Sequence, residues 1–260
     1  MVNYFEATDR MDKYEKLSDY EKGFIDGIFS ISNKIDKDYR PFIADSLAEY
    51  IDDYLESNKD YPPPGCDSLE KCAEIFTYDF LMYYEEMAMD LLKRNYIVNL
   101  ASFLEIELTD DPEMLFYCAG YTQVEVRFAK ELMFYNSSRI RLYSKLNEYQ
   151  KGYLESYQYI LSILDMNIKT HLETDNEIAI DTIRMEILDV LRGNVNIPVQ
   201  PGVPVFLPVL EAVYPIFMAN DLMECCMEHI YEKCMNEYMY YVSEFTGIDY
   251  DDVLFTVING

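Results

Sequence analysis

The sequence has no tryptophan, two histidines, nine glycines, and 21 bases set against 48 acids. Each shortage excludes something. His171 and His229 are the only side chains that titrate near neutrality without help, which leaves little for general acid–base work. Neither has a glutamate three residues before it, so the Glu-x-x-His pairs of a di-iron bundle are absent. There is no Walker A loop, no G-x-G-x-x-G and no G-x-S-x-G nucleophile elbow. The composition therefore points away from an enzyme.

The shortage of bases leaves a formal charge of −27. A field of that sign repels phosphate backbones and anionic lipid and attracts basic protein surfaces. Long apolar runs are missing too. The longest uncharged stretch, Gly193 to Leu210, is broken by Pro198, Pro201, Pro204 and Pro208 and cannot form a spanning helix. The first residues, MVNYFEATDRMDKYEKL, lack the apolar core of a secretion signal. Six cysteines without such a signal fit reduced thiols, so a cytoplasmic location is expected. In that setting the acceptor-like Asn136-Ser137-Ser138 carries no meaning.

What is present is a half-apolar chain with 25 tyrosines, ample for a folded core. It also repeats itself. RMDKYEKLSDYEKG (Arg10 to Gly23) and RIRLYSKLNEYQKG (Arg139 to Gly152) share seven of fourteen positions, where composition gives about one. The same offset pairs Phe5 with Phe134, and candidate helix caps at Thr8 or Asp9 with Ser137 or Ser138. Three further blocks follow in order. Asp45 to Asn58 matches Asp181 to Asn194, Ser68 to Phe76 matches Val209 to Phe217, and Phe103 to Asp111 matches Phe245 to Asp252. Proline-rich loops lie between the blocks, at Tyr61 to Gly65 and Val199 to Gly202.

The reading is an all-α protein of two tandem three-helix units, 1–120 and 133–260, in a pseudo-twofold arrangement, with residues 121–132 as linker. The first helix carries the stripe Leu17, Tyr20, Phe24, Ile28 and Ile31, copied as Leu146, Tyr149, Tyr153, Tyr157 and Ile160. Gly23 and Gly152 stand inside those helices, where glycine costs about 1 kcal/mol against alanine, which points to a close helix approach or a kink. The second helix carries Ala44, Leu47, Ile51 and Leu55, matched by Ile180, Ile183, Ile187 and Leu191. The third is long, from about Ser68 to Glu105, opening on a capping pair Asp67 and Glu70. Its counterpart spans roughly Pro208 to Phe245, with Pro215 inside and Gly247 as C-cap. Met114 to Ala119 and Val253 to Ile258 close the units. Tyr121 to Leu132 reads as a helix whose first half alternates like a strand.

One segment invites a metal: ECCMEHIYEKC, residues 224–234. Cys225 and His229 share a helix face at i and i+4, and Cys226 is beside them, but Cys234 lies about 140° round the helix. One helix supplies too few ligands for structural zinc, so no metal and no cofactor is expected. A run of six bases with interleaved aromatics, Arg127 to Lys151, resembles single-strand-binding patterns, but half of it recurs as the first helix of the other copy.

The acids are not spread evenly. Residues 1–60 carry 15 acids and 8 bases, 61–120 carry 12 and 3, 121–192 carry 11 and 9, and 193–260 carry 10 and 1. Bases gather in the two first helices, while both third helices and the segments after them are nearly free of positive charge. The expected partner-binding set is Glu105, Glu107, Asp110, Asp111 and Glu113 in one copy and Asp249, Asp251 and Asp252 in the other, with Tyr240, Tyr241 and Tyr250. Tyr238 belongs to the same tyrosine run. The function expected is a non-enzymatic protein that binds and inhibits a basic nucleic-acid-binding protein or nuclease by mimicking nucleic acid, as acidic inhibitors of restriction and CRISPR machinery do. No direct binding of nucleic acid or membrane is expected. Two other readings are a helical scaffold using its apolar and tyrosine-rich faces, and an enzyme or metalloprotein centred on His229.

Overall fold

The computed structural model describes residues 3–6, 8–35, 68–108, 113–135, 137–165, 181, 184–185, 188 and 230–259. Among them every regular element is a helix or a 3-10 turn, and there is no strand. A short 3-10 turn, Tyr4–Glu6, precedes α1 (Thr8–Glu15) and α2 (Asp19–Lys34). Helix α3 (Leu69–Phe103) is about 50 Å long at 1.5 Å per residue. Then come α4 (Met114–Cys118), α5 (Gln123–Tyr135), two 3-10 turns (Ser137–Arg139 and Arg141–Lys145) and α6 (Glu148–Asp165). Helix α7 is described over residues 230–246, and α8 is Tyr250–Asn259.

The chain divides into two compact units, each drawn from both halves of the sequence. The first holds Met1–Lys34, Met89–Met166 and Tyr231–Gly260, and the second holds Ile35–Ala88 and Asn167–Ile230. The second helix of each repeat falls outside the described residues, apart from helical positions 181, 184–185 and 188, of which Leu188 is buried. Also outside them lie His171, His229, Cys225, Cys226, Pro215 and the proline-rich loops.

The first helix of the repeat is not one helix. The segment expected to begin at Thr8 or Asp9 ends at Glu15, turns through Leu17, and restarts at Asp19. Ser18 makes the restart favourable. Its Oγ accepts from the Glu21 amide at 3.3 Å, while the Glu21 carboxylate accepts from the Ser18 amide at 2.7 Å. Asn147 and Gln150 repeat this at α6, with bonds of 2.9 and 3.0 Å, and Ser137–Arg139 is a 3-10 turn rather than a helix start. Thr122 and Glu125 form the same box at α5, so Tyr121 to Leu132 is helical from Gln123 onward. The backbone amide and hydroxyl of Thr122 hold the Glu125 carboxyl below its ordinary range. At α3 the cap is Ser68, whose Oγ accepts from the Lys71 amide at 3.2 Å, and Asp67 lies outside the described residues.

In the first unit α2 packs chiefly on α6. Leu17, Phe24, Ile28 and Ile31 of one stripe and Leu146, Tyr157 and Ile160 of the other are buried. The two helices meet through backbone. A Cβ on Gly23 would overlap the Tyr149 carbonyl oxygen and lie 2.8 Å from its carbon and 3.0 Å from the Tyr153 nitrogen. A Cβ on Gly152 would overlap the Tyr20 carbonyl oxygen and lie 3.0 Å from the Phe24 nitrogen. Both helices run unbroken through these glycines, so they serve close approach and not a kink.

Candidate interaction surface

Half-buried carboxylates near the α2–α6 crossing are held by tyrosines. The Tyr14 hydroxyl donates to Asp26 at 2.6 Å, and that of Tyr149 donates to the same oxygen at 2.8 Å. Glu155 accepts in turn from Tyr143 and Tyr20. The internal similarity pairs Tyr14 with Tyr143, Tyr20 with Tyr149 and Asp26 with Glu155, so each carboxylate takes one tyrosine from each half of the chain. Lys22 lies over the Tyr14 ring and Lys151 over the Tyr143 ring, at 5.8 and 5.7 Å from the centroids. Burial first, and the adjoining carboxylate second, push the Tyr14, Tyr20 and Tyr149 hydroxyls far above their ordinary value.

The ends of α3 and α7 rest on this crossing in matching ways. Phe103 meets the Tyr153 ring edge-on at 5.6 Å, and Phe245 meets the Phe24 ring at 6.2 Å. Each helix then stops on a residue in the left-handed region: Glu105 at φ 55° and Gly247 at φ 67°. The Ile106 amide closes back on the Ala101 carbonyl at 2.9 Å, and the Gly247 amide on that of Ser243 at 2.9 Å. Gly247 is thus a C-cap, as its place in the sequence suggests. Glu105 does the same work with a side chain attached.

The expected partner-binding residues fall into distinct places. Glu105 and Glu107 are exposed, Glu113 is half-buried, and Asp110 and Asp111 lie outside the described residues. Asp249, Asp251 and Asp252 are exposed at the start of α8, where the Asp249 carboxylate accepts from the Asp251 amide at 3.0 Å. The tyrosines separate. Tyr240 is 51% exposed. Tyr241 packs into a ring cluster with Phe24, Tyr159 and Phe245, and burial raises its hydroxyl. Tyr250 is half-buried and likewise raised. Tyr238 is a core residue: its hydroxyl accepts from the Tyr4 amide at 3.1 Å and donates to Asn3 at 2.8 Å.

One alternative site looks different in three dimensions, while Cys225, Cys226 and His229 of the other lie outside the described residues. In the basic run, Tyr143 is buried against Glu155, Arg141 stacks on Tyr121 at 4.3 Å, and Lys151 pairs with Glu148 at 2.7 Å. Those groups are engaged within the fold. Cys234 is fully buried, its thiol pushed up to about 12 by burial, and no metal-holding cluster occurs among the described residues. Among them, too, no helix is long and apolar enough to cross a membrane.

The tyrosine–carboxylate contacts were legible but unread in the sequence: carrying the Arg10/Arg139 match three residues past Gly23 and Gly152 pairs Asp26 with Glu155. Compared with protein-family models, curated proteins and solved structures, the chain matches none.

Proposed function

We propose that this chain is a non-enzymatic acidic interaction protein that binds a basic, nucleic-acid-binding protein or nuclease and blocks it by presenting carboxylates in place of phosphates. The observation that carries the reading is the charge of −27 together with the exposure of Glu105, Glu107, Asp249, Asp251 and Asp252 at the ends of the two acidic helices. Segments with almost no bases offer a basic groove attraction without competing cations.

The same proposal takes the chain as two copies of one unit related by a local twofold. Reciprocal contacts support it: Gly23 against Tyr149 and Gly152 against Tyr20, the two carboxylates, and Phe103 on Tyr153 beside Phe245 on Phe24. Under that symmetry the acidic helix ends form two like patches.

The test is affinity capture from host lysate with elution along a salt gradient, followed by measurement on the purified partner. Affinity should fall steeply with ionic strength. Changing Asp110, Asp111, Asp251 and Asp252 to Lys should abolish binding. A partner held equally well by that variant, or insensitive to salt, refutes the reading and favours an apolar scaffold instead.

A further inference from the structure

On the acidic-interaction reading and the local twofold proposed above, we infer that the outer faces of α3 and α7 are a matched pair of docking faces for one basic homodimer. Counting back from the left-handed residues that stop them, Glu105 and Gly247, brings the two helices into register. Inward, Leu92, Tyr96 and Leu100 of α3 are buried, and at the same places on α7 so are Cys234, Tyr238 and Val242. Outward, Arg94, Val98 and Ser102 are exposed at i, i+4 and i+8, and so are Asn236, Tyr240 and Glu244. All of these residues belong to the first compact unit. Each outer stripe holds one large side chain among polar ones, and it stands at the same place in both: Val98 is 50% exposed and Tyr240 is 51% exposed. The Tyr240 ring meets its neighbour Tyr241 edge-on at 5.2 Å, which fixes its direction and leaves half of it to solvent. A solvated stripe gains nothing from a large apolar surface at matching positions, whereas an anchor within a polar rim is what a protein interface carries.

Charge and symmetry together select the occupant. Exposed carboxylates follow both anchors along the chain, Glu105 and Glu107 after Val98, and Glu244 and Asp249 after Tyr240. A second copy of this chain would set carboxylate against carboxylate, and nucleic acid would be repelled. Two like faces related by a local twofold fit a partner that repeats its own surface by a twofold, and cyclic dimers are the commonest soluble oligomers. Dimeric proteins that read palindromic nucleic acid are built in this way, with two equivalent basic reading heads. One chain then occupies both heads of one dimer.

The probe is a synthetic peptide of lysines around one central leucine, made singly and as two copies joined by a flexible glycine–serine linker. Both forms are titrated against the full chain by fluorescence anisotropy at physiological salt, where attraction between exposed charges alone is screened. The linked form should bind at least about tenfold more tightly than the single one, because its second contact is intramolecular. Val98→Ser and Tyr240→Ser should each reduce the linked form to the affinity of the single one. Both side chains stand half outside the fold, so the thermal midpoint of each variant should stay in place. Serine in place of the leucine should remove the response to both substitutions. Equal affinity of the linked and single forms, or an excess that survives either substitution, overturns the matched pair while leaving the charge-driven reading standing. A glutamate-for-lysine peptide bound as tightly as the lysine one overturns the acidic reading itself. Self-association of the chain that Val98→Ser abolishes identifies a second copy as the occupant and overturns the basic dimer.

Discussion

Replacing Gly23 with alanine sets two effects of opposite sign against each other. In an isolated helix the change gains about 1 kcal/mol. At the α2–α6 crossing the added carbon would overlap the Tyr149 carbonyl oxygen and stand 2.8 Å from its carbon, where carbon contacts ordinarily lie at about 3.5–4.0 Å. The obstructing atoms are backbone of a continuous helix, so no rotamer change relieves them, and α6 must retreat by about 1 Å. Overpacking of this kind costs about 1–3 kcal/mol, and a rigid obstacle places it at the upper end. The net expectation is a loss of about 1–2 kcal/mol for Gly23→Ala, and the same for Gly152→Ala. One retreat accommodates both carbons, so the double variant should lose less than the sum of the singles by at least about 0.5 kcal/mol. Urea unfolding followed by far-ultraviolet circular dichroism measures all three. A gain of stability in either single variant, or strict additivity in the double, would refute a shared backbone contact.

Alkaline pH should unfold the protein through its tyrosines. Burial and the carboxylates raise Tyr14, Tyr20, Tyr149 and Tyr159 in the folded state, while the unfolded chain ionises near 10, so their contribution is intact below about pH 10 and is lost as pH rises beyond it. Tyrosinate absorbance at these positions should appear together with loss of helical dichroism, and its appearance in the still-helical protein would contradict the contacts. Glu105→Gly should stabilise the chain by up to about 1 kcal/mol by removing a side chain from the left-handed region, and Gly247→Ala should cost about 1 kcal/mol, both read from urea midpoints. Native alkylation followed by peptide mass mapping should label exposed Cys118 and spare Cys234 until denaturant is added.

Periodicity and repetition made much of the first unit legible. The stripes from Leu17 to Ile31 and from Leu146 to Ile160 are largely buried on the predicted face, and the long α3 ends within two residues of its expected end. The break at Ser18 was missed because an apolar stripe of 3.6 periodicity carries across a helix restart without changing phase, while the S-x-x-E box that marks it is a local polar signal. The surface was less legible. Tyr238, Tyr240 and Tyr241 are close neighbours in sequence, yet one is core, one exposed and one in a ring cluster. At 100° per residue only the direction of the neighbouring helices decides which is which. Phe255 and Ile258 look like core residues in a sequence and are distinguished only by lying out of phase with Val253 and Val257.

The two oddities of composition, many acids and many tyrosines, have one physical explanation at the sites described. An inward-facing carboxylate needs donors, and a chain with 21 bases for 48 acids cannot supply cations to all of them. Asp26, Glu155 and Glu237 take phenol hydroxyls instead, from Tyr14 and Tyr149, from Tyr143 and Tyr20, and from Tyr159 at 2.7 Å. Lysine and arginine pairs such as Lys71–Glu74, Lys93–Asp90 and Arg184–Asp181 run instead along single helices, one turn apart. A neutral donor satisfies a carboxylate without cancelling its charge. The folded protein therefore keeps its negative field where a lysine-paired interior would have reduced it. That retained field is the property a binder of basic surfaces requires.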